Sequence, residues 1–179
     1  MSTLAIIPAA GSGTRMGSGT PKQFLALEGV PIFVHTLRKF IASDAVDDVF
    51  LALRPEETAR AQAEIERENY SKSPCITAGG SSRQETVALA LARAPSGTEI
   101  VIVHDAVRPF VEPEMIHRIV EAARQDGAAI FAIPTVDTVK QVERQVIMGT
   151  IPRERIALAQ TPQAFRYDLI REAFEKAGA

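Results

Sequence analysis

Apolar runs too short for helices alternate along this chain with segments of helical spacing. That alternation predicts an α/β fold with a doubly wound, mostly parallel sheet covered by helices on both faces. Length agrees, because 179 residues make one full-sized domain with a sizeable core and leave little room for a second. A third observation qualifies the class. After Pro134 the rhythm changes to two segments of period two, which predict a β-arm protruding from the α/β body. With no linker, internal repeat or low-complexity stretch, residues 1–179 read as a single domain carrying an arm at about 138–160.

The first strand is "TLAIIP". A glycine-rich loop follows, then "PIFVHTLRKFIAS", a helix whose Pro31 suits the first turn, where an N–H would lack a partner anyway. "VDDVFLAL" is the next strand, "PEETARAQAEIERENY" a charged helix, "PCITAG" a short strand and "SRQETVALALARA" a helix with apolar positions at helical spacing. In the last of these, Ser82 and Glu85 form an S-x-x-E capping box after a turn made by Gly79 and Gly80. "EIVIVHDA" is a strand of β-branched residues, "EPEMIHRIVEAARQDG" a helix closed by Gly127, and "AAIFAIP" another buried strand. The arm "DTVKQVERQVIMGTI" comes next, and its turn near Arg144 and Gln145 lacks the Asn-Gly chemistry of a tight hairpin. "PRERIALAQTPQAF" has no clear helical pattern, and "YDLIREAFEKAGA" is an amphipathic helix. This order is that of a Rossmann-like body, in which ligands sit outside the carboxyl ends of the strands, so the loops after strands are where chemistry is to be sought.

Composition removes several function classes. Hydrophobic residues make up 46%, charged residues 23%, and the net charge is −2, an ordinary globular balance that suits neither disorder nor the coating of nucleic acid. No apolar run approaches the roughly 20 residues of a membrane span. The N-terminus lacks the basic flank and long apolar centre of a signal peptide, so the expected location is cytoplasmic. A lone Cys75 cannot form an internal disulfide and suggests no zinc site; it reads as a small apolar strand residue. His104 reads as a buried strand histidine, and His35 and His117 as residues on helix faces.

The loop "PAAGSGTRMGSGTPKQ" follows the first strand, and glycines there let main-chain N–H groups approach a phosphate. Two familiar phosphate loops fail. Gly11, Gly13 and Gly17 give G-x-G-x-x-x-G, with the next helix only at Pro31, and the second strand ends in Leu53-Arg54-Pro55 without an acidic ribose ligand, which disfavours a dinucleotide. Lys22 follows Pro21 and precedes Gln23, which fails the G-K-[ST] of a P-loop. What remains is a long loop whose Arg15 and Lys22 can reach one polyanion, against the bland alternative of a solvated surface loop. Taken together, "PAAGSGTRMGSGTPKQFL", "GGSSRQETV", "HDAVRP", "DTVK" and "QTPQAF", in this order, resemble the 2-C-methyl-D-erythritol 4-phosphate cytidylyltransferases, within the nucleotidyltransferases that join a nucleoside triphosphate to a sugar or polyol phosphate.

That resemblance implies attack by a substrate phosphate oxygen on the α-phosphorus of CTP, with Mg²⁺ accompanying the nucleotide. It implies Arg15 and Lys22 as transition-state stabilisers and main-chain amides around Ala10, Gly11 and Gly13 as the triphosphate cradle. It implies cytosine recognition by Ala9, the turn amide near Gly80 and the Thr86 hydroxyl, where family members often carry serine. Ser81 stands where some members have an acidic residue. Asp105 would contact the polyol or the metal, and Arg108 the acceptor; on spacing alone, an aspartate capping a turn and an arginine in a surface ion pair explain "HDAVRP" equally well. Thr138, Arg153 and Thr161 complete the implied acceptor site.

The arm carries exposed edges and apolar residues such as Val142, Val146, Ile147 and Ile151 that one domain cannot easily cover, so a homodimer is expected. In the resembling enzymes two arms interlock, which would lend Arg153 and Thr161 to the neighbour's site. Those enzymes also continue past the helix at Tyr167, with a lysine near the acceptor phosphate that nothing in this sequence matches. Two rival readings stay beside the leading one: a ribitol 5-phosphate cytidylyltransferase, and a catalytically silent nucleotide-binding module.

Overall fold

The computed structural model describes residues 2–11 and 20–177. Six strands form one sheet in the order β5-β4-β1-β6-β10-β7, namely β1 (Ser2–Pro8), β4 (Asp48–Leu53), β5 (Cys75–Ala78), β6 (Thr98–Val103), β7 (Ala128–Pro134) and β10 (Ala157–Arg166). β1 pairs in parallel with β4 and β6, and β4 in parallel with β5, whereas β10 runs antiparallel to both β6 and β7. The sheet is therefore mostly parallel with one reversed strand. Two short pairs stand apart: β2 (Ala26–Leu27) with β3 (Val30–Pro31), and β8 (Val139–Glu143) with β9 (Val146–Ile151).

Both faces of the sheet are covered, which is why its central strands read as continuous apolar runs. On one face Ala5 and Ile7 of β1, with Leu51, Leu53, Ile100 and Ile102, meet Phe33, Leu37 and Phe40 of α1 (Ile32–Ile41), Ala61 and Ile65 of α2 (Thr58–Glu66), and Ile116, Ile119 and Val120 of α4 (Pro113–Asp126). On the other, Leu4 and Ile6 with Phe50, Val101 and Val103 meet Val87, Ala90 and Leu91 of α3 (Arg83–Leu91) and Ile170 of α5 (Tyr167–Ala177). Each fully buried Leu, Ile or Phe in these layers contributes about 1.5–3 kcal/mol. No helix among the described residues is long and apolar enough to cross a membrane.

Four local expectations change. Pro31 takes the N-cap of α1 rather than its first turn, with φ −55° and ψ 139°. The segment after Arg54 opens as a 3₁₀ turn, Pro55–Glu57, before α2 begins at Thr58. "AAIFAIP" is β7, and it lies at the sheet edge with Ile130 and Ile133 about half exposed, not buried. β10, which no periodicity announced, inserts between β6 and β7. Its pairing with β7 jumps from Ala159↔Ala132 to Gln163↔Ile130, so Gln160, Thr161 and Pro162 bulge out opposite a single residue. The arm forms as a hairpin despite its turn chemistry, with Arg144 and Gln145 both left-handed at φ 46° and 68°.

Candidate active site

The carboxyl ends of β1 and β6 and the start of α3 enclose a cavity of about 270 Å³. One wall is the main chain Pro8 to Gly11 as it leaves β1, together with Lys22 and Gln23. Ala9 is tied down by its N–H, which donates to Ala52 O at 2.8 Å. Lys22–Phe24 is a 3₁₀ turn whose Phe24 is buried edge-on against Phe33, ring centroids 5.3 Å apart, with the Arg60 guanidinium 4.3 Å from the ring centroid. The turn thereby gains an anchor on its core side while Lys22 lines the cavity.

The second wall is the turn before α3, Gly80 to Arg83 with Thr86. Ser82 caps the helix as its sequence predicts, accepting from the Glu85 N–H at 3.1 Å. The Glu85 carboxylate takes the Ser81 hydroxyl and the Ser81 N–H at 2.6 Å, with a smaller contribution from the N–H of the cap residue Ser82, and these bonds hold its pKa below the ordinary carboxylate value. Thr86 Oγ1 accepts from the Gly80 N–H at 3.0 Å and donates to Ser82 O at 2.8 Å, so the two groups expected to read cytosine also satisfy each other. Gly79 must be glycine, because a Cβ there would stand 2.3 Å from the Ala10 Cβ and 3.2 Å from Leu53 O. This close approach brings the second wall against the first.

The third wall is the turn after β6, Asp105 to Val107. His104, 1% exposed, lies beneath it and faces Arg108 O through Nε2 at 3.0 Å. A carbonyl only accepts, so Nε2 carries the proton and Nδ1, which has no partner among the described residues, is the bare nitrogen. Burial drives the pKa of His104 down to about 4, against the opposing pull of its bond to Arg108 O. Thr36 of α1 donates to Ala106 O at 2.8 Å and fixes the same turn from the helix side. Above it, Asp105 accepts from Arg83 Nε on one oxygen and Arg108 Nε on the other, each at 3.1 Å. Arg108 also reaches Gln160 Oε1, and Thr161 Oγ1 accepts from the Asp105 N–H at 3.4 Å, so the β10 bulge closes this corner.

Of the residues singled out from the sequence, Ala9, Ala10, Gly11, Lys22, Gly80, Thr86 and Asp105 line the one cavity. Arg108 and Thr161 join it through Asp105. Thr161 thus sits against its own chain's turn, where the sequence reading gave it to a neighbour. Thr138 and Arg153 stay outside the cavity: Thr138 is exposed before β8, and Arg153 donates to Val136 O at 3.2 Å at the base of the arm. Gly13 and Arg15 lie outside the described residues. The sequence reading missed Gln23, Arg83 and Gln160, although each stands inside a stretch that carried the resemblance; nothing local marks a glutamine or arginine as facing a site.

With the cavity defined, likeness to known proteins decides among phosphate-handling families. A family model described as IspD, 2-C-methyl-D-erythritol 4-phosphate cytidylyltransferase, matches residues 3–179. The chain belongs to the IspD family. A relative of that name from Acidobacterium capsulatum is 50% identical over all of this chain and 79% of its own length, and one from Solibacter usitatus is 45% identical over 99% and 77%. Among solved structures, the 4-diphosphocytidyl-2C-methyl-D-erythritol synthase of Anaerococcus prevotii superposes with a TM-score of 0.86 at 29% identity, covering 98% of this chain and 74% of that one. The 2-C-methyl-D-erythritol 4-phosphate cytidylyltransferase of Thermus thermophilus superposes with a TM-score of 0.75 at 34% identity, covering 99% and 76%. The Rossmann-like α/β architecture expected from the alternation of elements is that of these IspD structures.

Proposed function

We propose that this chain transfers the cytidylyl group of CTP to 2-C-methyl-D-erythritol 4-phosphate, giving 4-diphosphocytidyl-2-C-methyl-D-erythritol and pyrophosphate, a step toward isoprenoid precursors. One observation carries the reading: in an IspD-family chain, the Ala9–Gly11 main chain, Lys22 and the Asp105 turn converge on a single cavity at the carboxyl end of the sheet. A phosphate monoester has its second pKa near ~6 and is an anion at neutral pH, so the nucleophile needs no general base. Its oxygen forms a bond to the α-phosphorus, the bond from that phosphorus to the bridging oxygen breaks, and pyrophosphate leaves with the electron pair. The protein's work is electrostatic, holding mutually repelling anions together and stabilising the charge that grows on the α-phosphoryl oxygens.

In this reading Lys22 and Arg15 supply that stabilisation, and amides of Ala10, Gly11 and Gly13 cradle the triphosphate. Ala9, Gly80 and Thr86 face the cytosine, with Thr86 trading its bond from the Gly80 amide for one to the base. Asp105, Arg108 and Thr161 form the acceptor corner. Mg²⁺ fits this donor set through Asp105, since Mg²⁺ takes one or two carboxylates plus substrate phosphates. Among the described residues no three His, Cys, Asp or Glu side chains gather, so the nucleotide would supply most of the metal's ligands. When bound, the cation would neutralise charge on the phosphates; Asp105 would then exchange an arginine partner for it.

The chain acts as a single domain in the cytoplasm and pairs with a second copy through its arm, which would bring Thr138 and Arg153 to a shared acceptor site. The exposed Val142, Val146, Ile147 and Met148 support that pairing. The test is pyrophosphate release from CTP with Mg²⁺ and either 2-C-methyl-D-erythritol 4-phosphate or ribitol 5-phosphate. Release with the first acceptor is expected; release with ribitol 5-phosphate alone, or CTP binding with no release for either, overturns the reading.

A further inference from the structure

Beneath the cavity lies a buried polar network that the reaction scheme above does not use. Gln23 is 1% exposed, and its side-chain amide donates to Ala9 O at 2.7 Å and to Glu57 Oε2 at 3.0 Å; Gly11 O lies 3.4 Å away. An amide nitrogen has two hydrogens, so the two short contacts use both. Glu57, 6% exposed, ends the 3₁₀ turn after β4, and its other oxygen accepts from Arg54 Nη2 at 2.6 Å. A single glutamine thus joins three segments: the chain leaving β1, the turn that carries Lys22, and the turn after β4.

A buried carboxylate close to a site for polyphosphate is costly in two ways, through its own desolvation and through repulsion of the ligand. Packing alone would be met by an apolar side chain of the same size. What the polar arrangement adds is geometry, since the 2.7 Å bond to Ala9 O ties the main chain leaving β1 to the backbone that bears Lys22, and the 3.0 Å bond to Glu57 fixes the orientation of the amide that makes it. Phe24 holds that backbone from the core side, against Phe33, and Gln23 holds it from the cavity side. Lys22 itself is long and single-bonded throughout, so where its ammonium can reach depends on where its Cα is held.

The geometry points to Gln23 as a positioning residue, locked by Glu57 and Arg54, that sets Lys22 against the main-chain phosphate cradle. It rests on the role given to Lys22 under the proposed function. The loss of a group that positions a catalytic residue is read mainly in turnover, because a displacement of about 1 Å can cost about 100-fold in rate. Binding of CTP draws on several amides and changes less.

The experiment is a double-mutant cycle in the full chain with Gln23→Met, which keeps side-chain length and removes both donors, and Lys22→Ala. Single-turnover pyrophosphate release is read per CTP-binding site counted by calorimetry, so unfolded molecules do not contribute. Gln23→Met alone is expected to lower turnover about 10- to 100-fold with the KM for CTP within about threefold, and to lower it by less than about threefold further in the Lys22→Ala background. Glu57→Gln is the second variant, because its amide turns a donor toward Gln23 while Arg54 holds its oxygen; the same loss and the same coupling to Lys22 are expected if Gln23→Met does not fold. Full turnover in either folded single variant, or losses that multiply in the Lys22→Ala background, overturn the positioning role alone. Wild-type turnover in Lys22→Ala instead overturns the function assigned to Lys22, and this inference with it.

Discussion

His104 makes the stability of this protein depend on pH in a way that can be separated from every other titrating group. Its pKa is about 4 in the folded chain against 6.5 for a free histidine, with burial as the main cause. Because the folded value is the lower one, the unfolded chain binds more protons between these limits. The contribution is complete above about pH 6.5 and is lost as pH falls toward about 4. At pH 5 the unfolded state has taken up most of its proton and the folded state little of it, a destabilisation of about 2 kcal/mol relative to pH 7. The assay is urea unfolding at pH 7, 6 and 5 for the wild type and for His104→Gln, whose amide can donate to Arg108 O but does not titrate. The variant starts less stable, since it loses the ring contact with Phe40, 4.9 Å between centroids. Its stability should nonetheless fall by about 2 kcal/mol less than the wild type's between pH 7 and 5. Parallel pH dependences would refute the reasoning, because they would mean that the imidazole titrates alike in both states.

Three further outcomes follow from the site and the arm. Gly79→Ala forces a Cβ to within 2.3 Å of the Ala10 Cβ, between segments that Gly79 N–H to Leu53 O and Ala9 N–H to Ala52 O tie to β4; a loss of about 1–3 kcal/mol in denaturant unfolding, with a raised KM for CTP, is expected. Ser82→Ala removes the helix cap at 3.1 Å and should cost about 1 kcal/mol, or about 2–4 °C in Tm by calorimetry. In the arm, Val142 and Ile147 are paired across the hairpin and each about 60% exposed. Ile147→Asp is expected to shift sedimentation from dimer to monomer while far-UV circular dichroism stays unchanged, and a wild type that sediments as a monomer would remove the basis for the shared acceptor site.

Much of the body was legible because its signals are local. The continuous apolar run that puts Leu4 and Ile6 on one face of β1 and Ala5 and Ile7 on the other is written in consecutive letters, as is the cap from Ser82 to Glu85. The cavity was legible in part for a similar reason: Gly80 and Asp105 sit just after strands, and Lys22 in the connection between β1 and α1, where a mostly parallel sheet gathers its ligands. The arm's hairpin showed in its period of two even though its turn residues argue against it.

What the letters alone could not decide are meetings between segments far apart in the chain. "ALAQTPQAFR" carries a proline and two glutamines and reads as no regular element, yet it pairs with β6 and β7 because both had a free edge to offer, and its bulge delivers Gln160 and Thr161 to a turn more than fifty residues earlier. β7, expected to be buried, ends the sheet beyond that strand and is exposed. Gln23, a polar letter beside a lysine, becomes a buried joint only when Glu57 folds against it. Secondary structure is a preference of neighbouring residues for one another, and sequence displays it. Which strand fills an edge, and which polar side chain is sealed inside, depends on contacts that exist only once the chain has closed on itself.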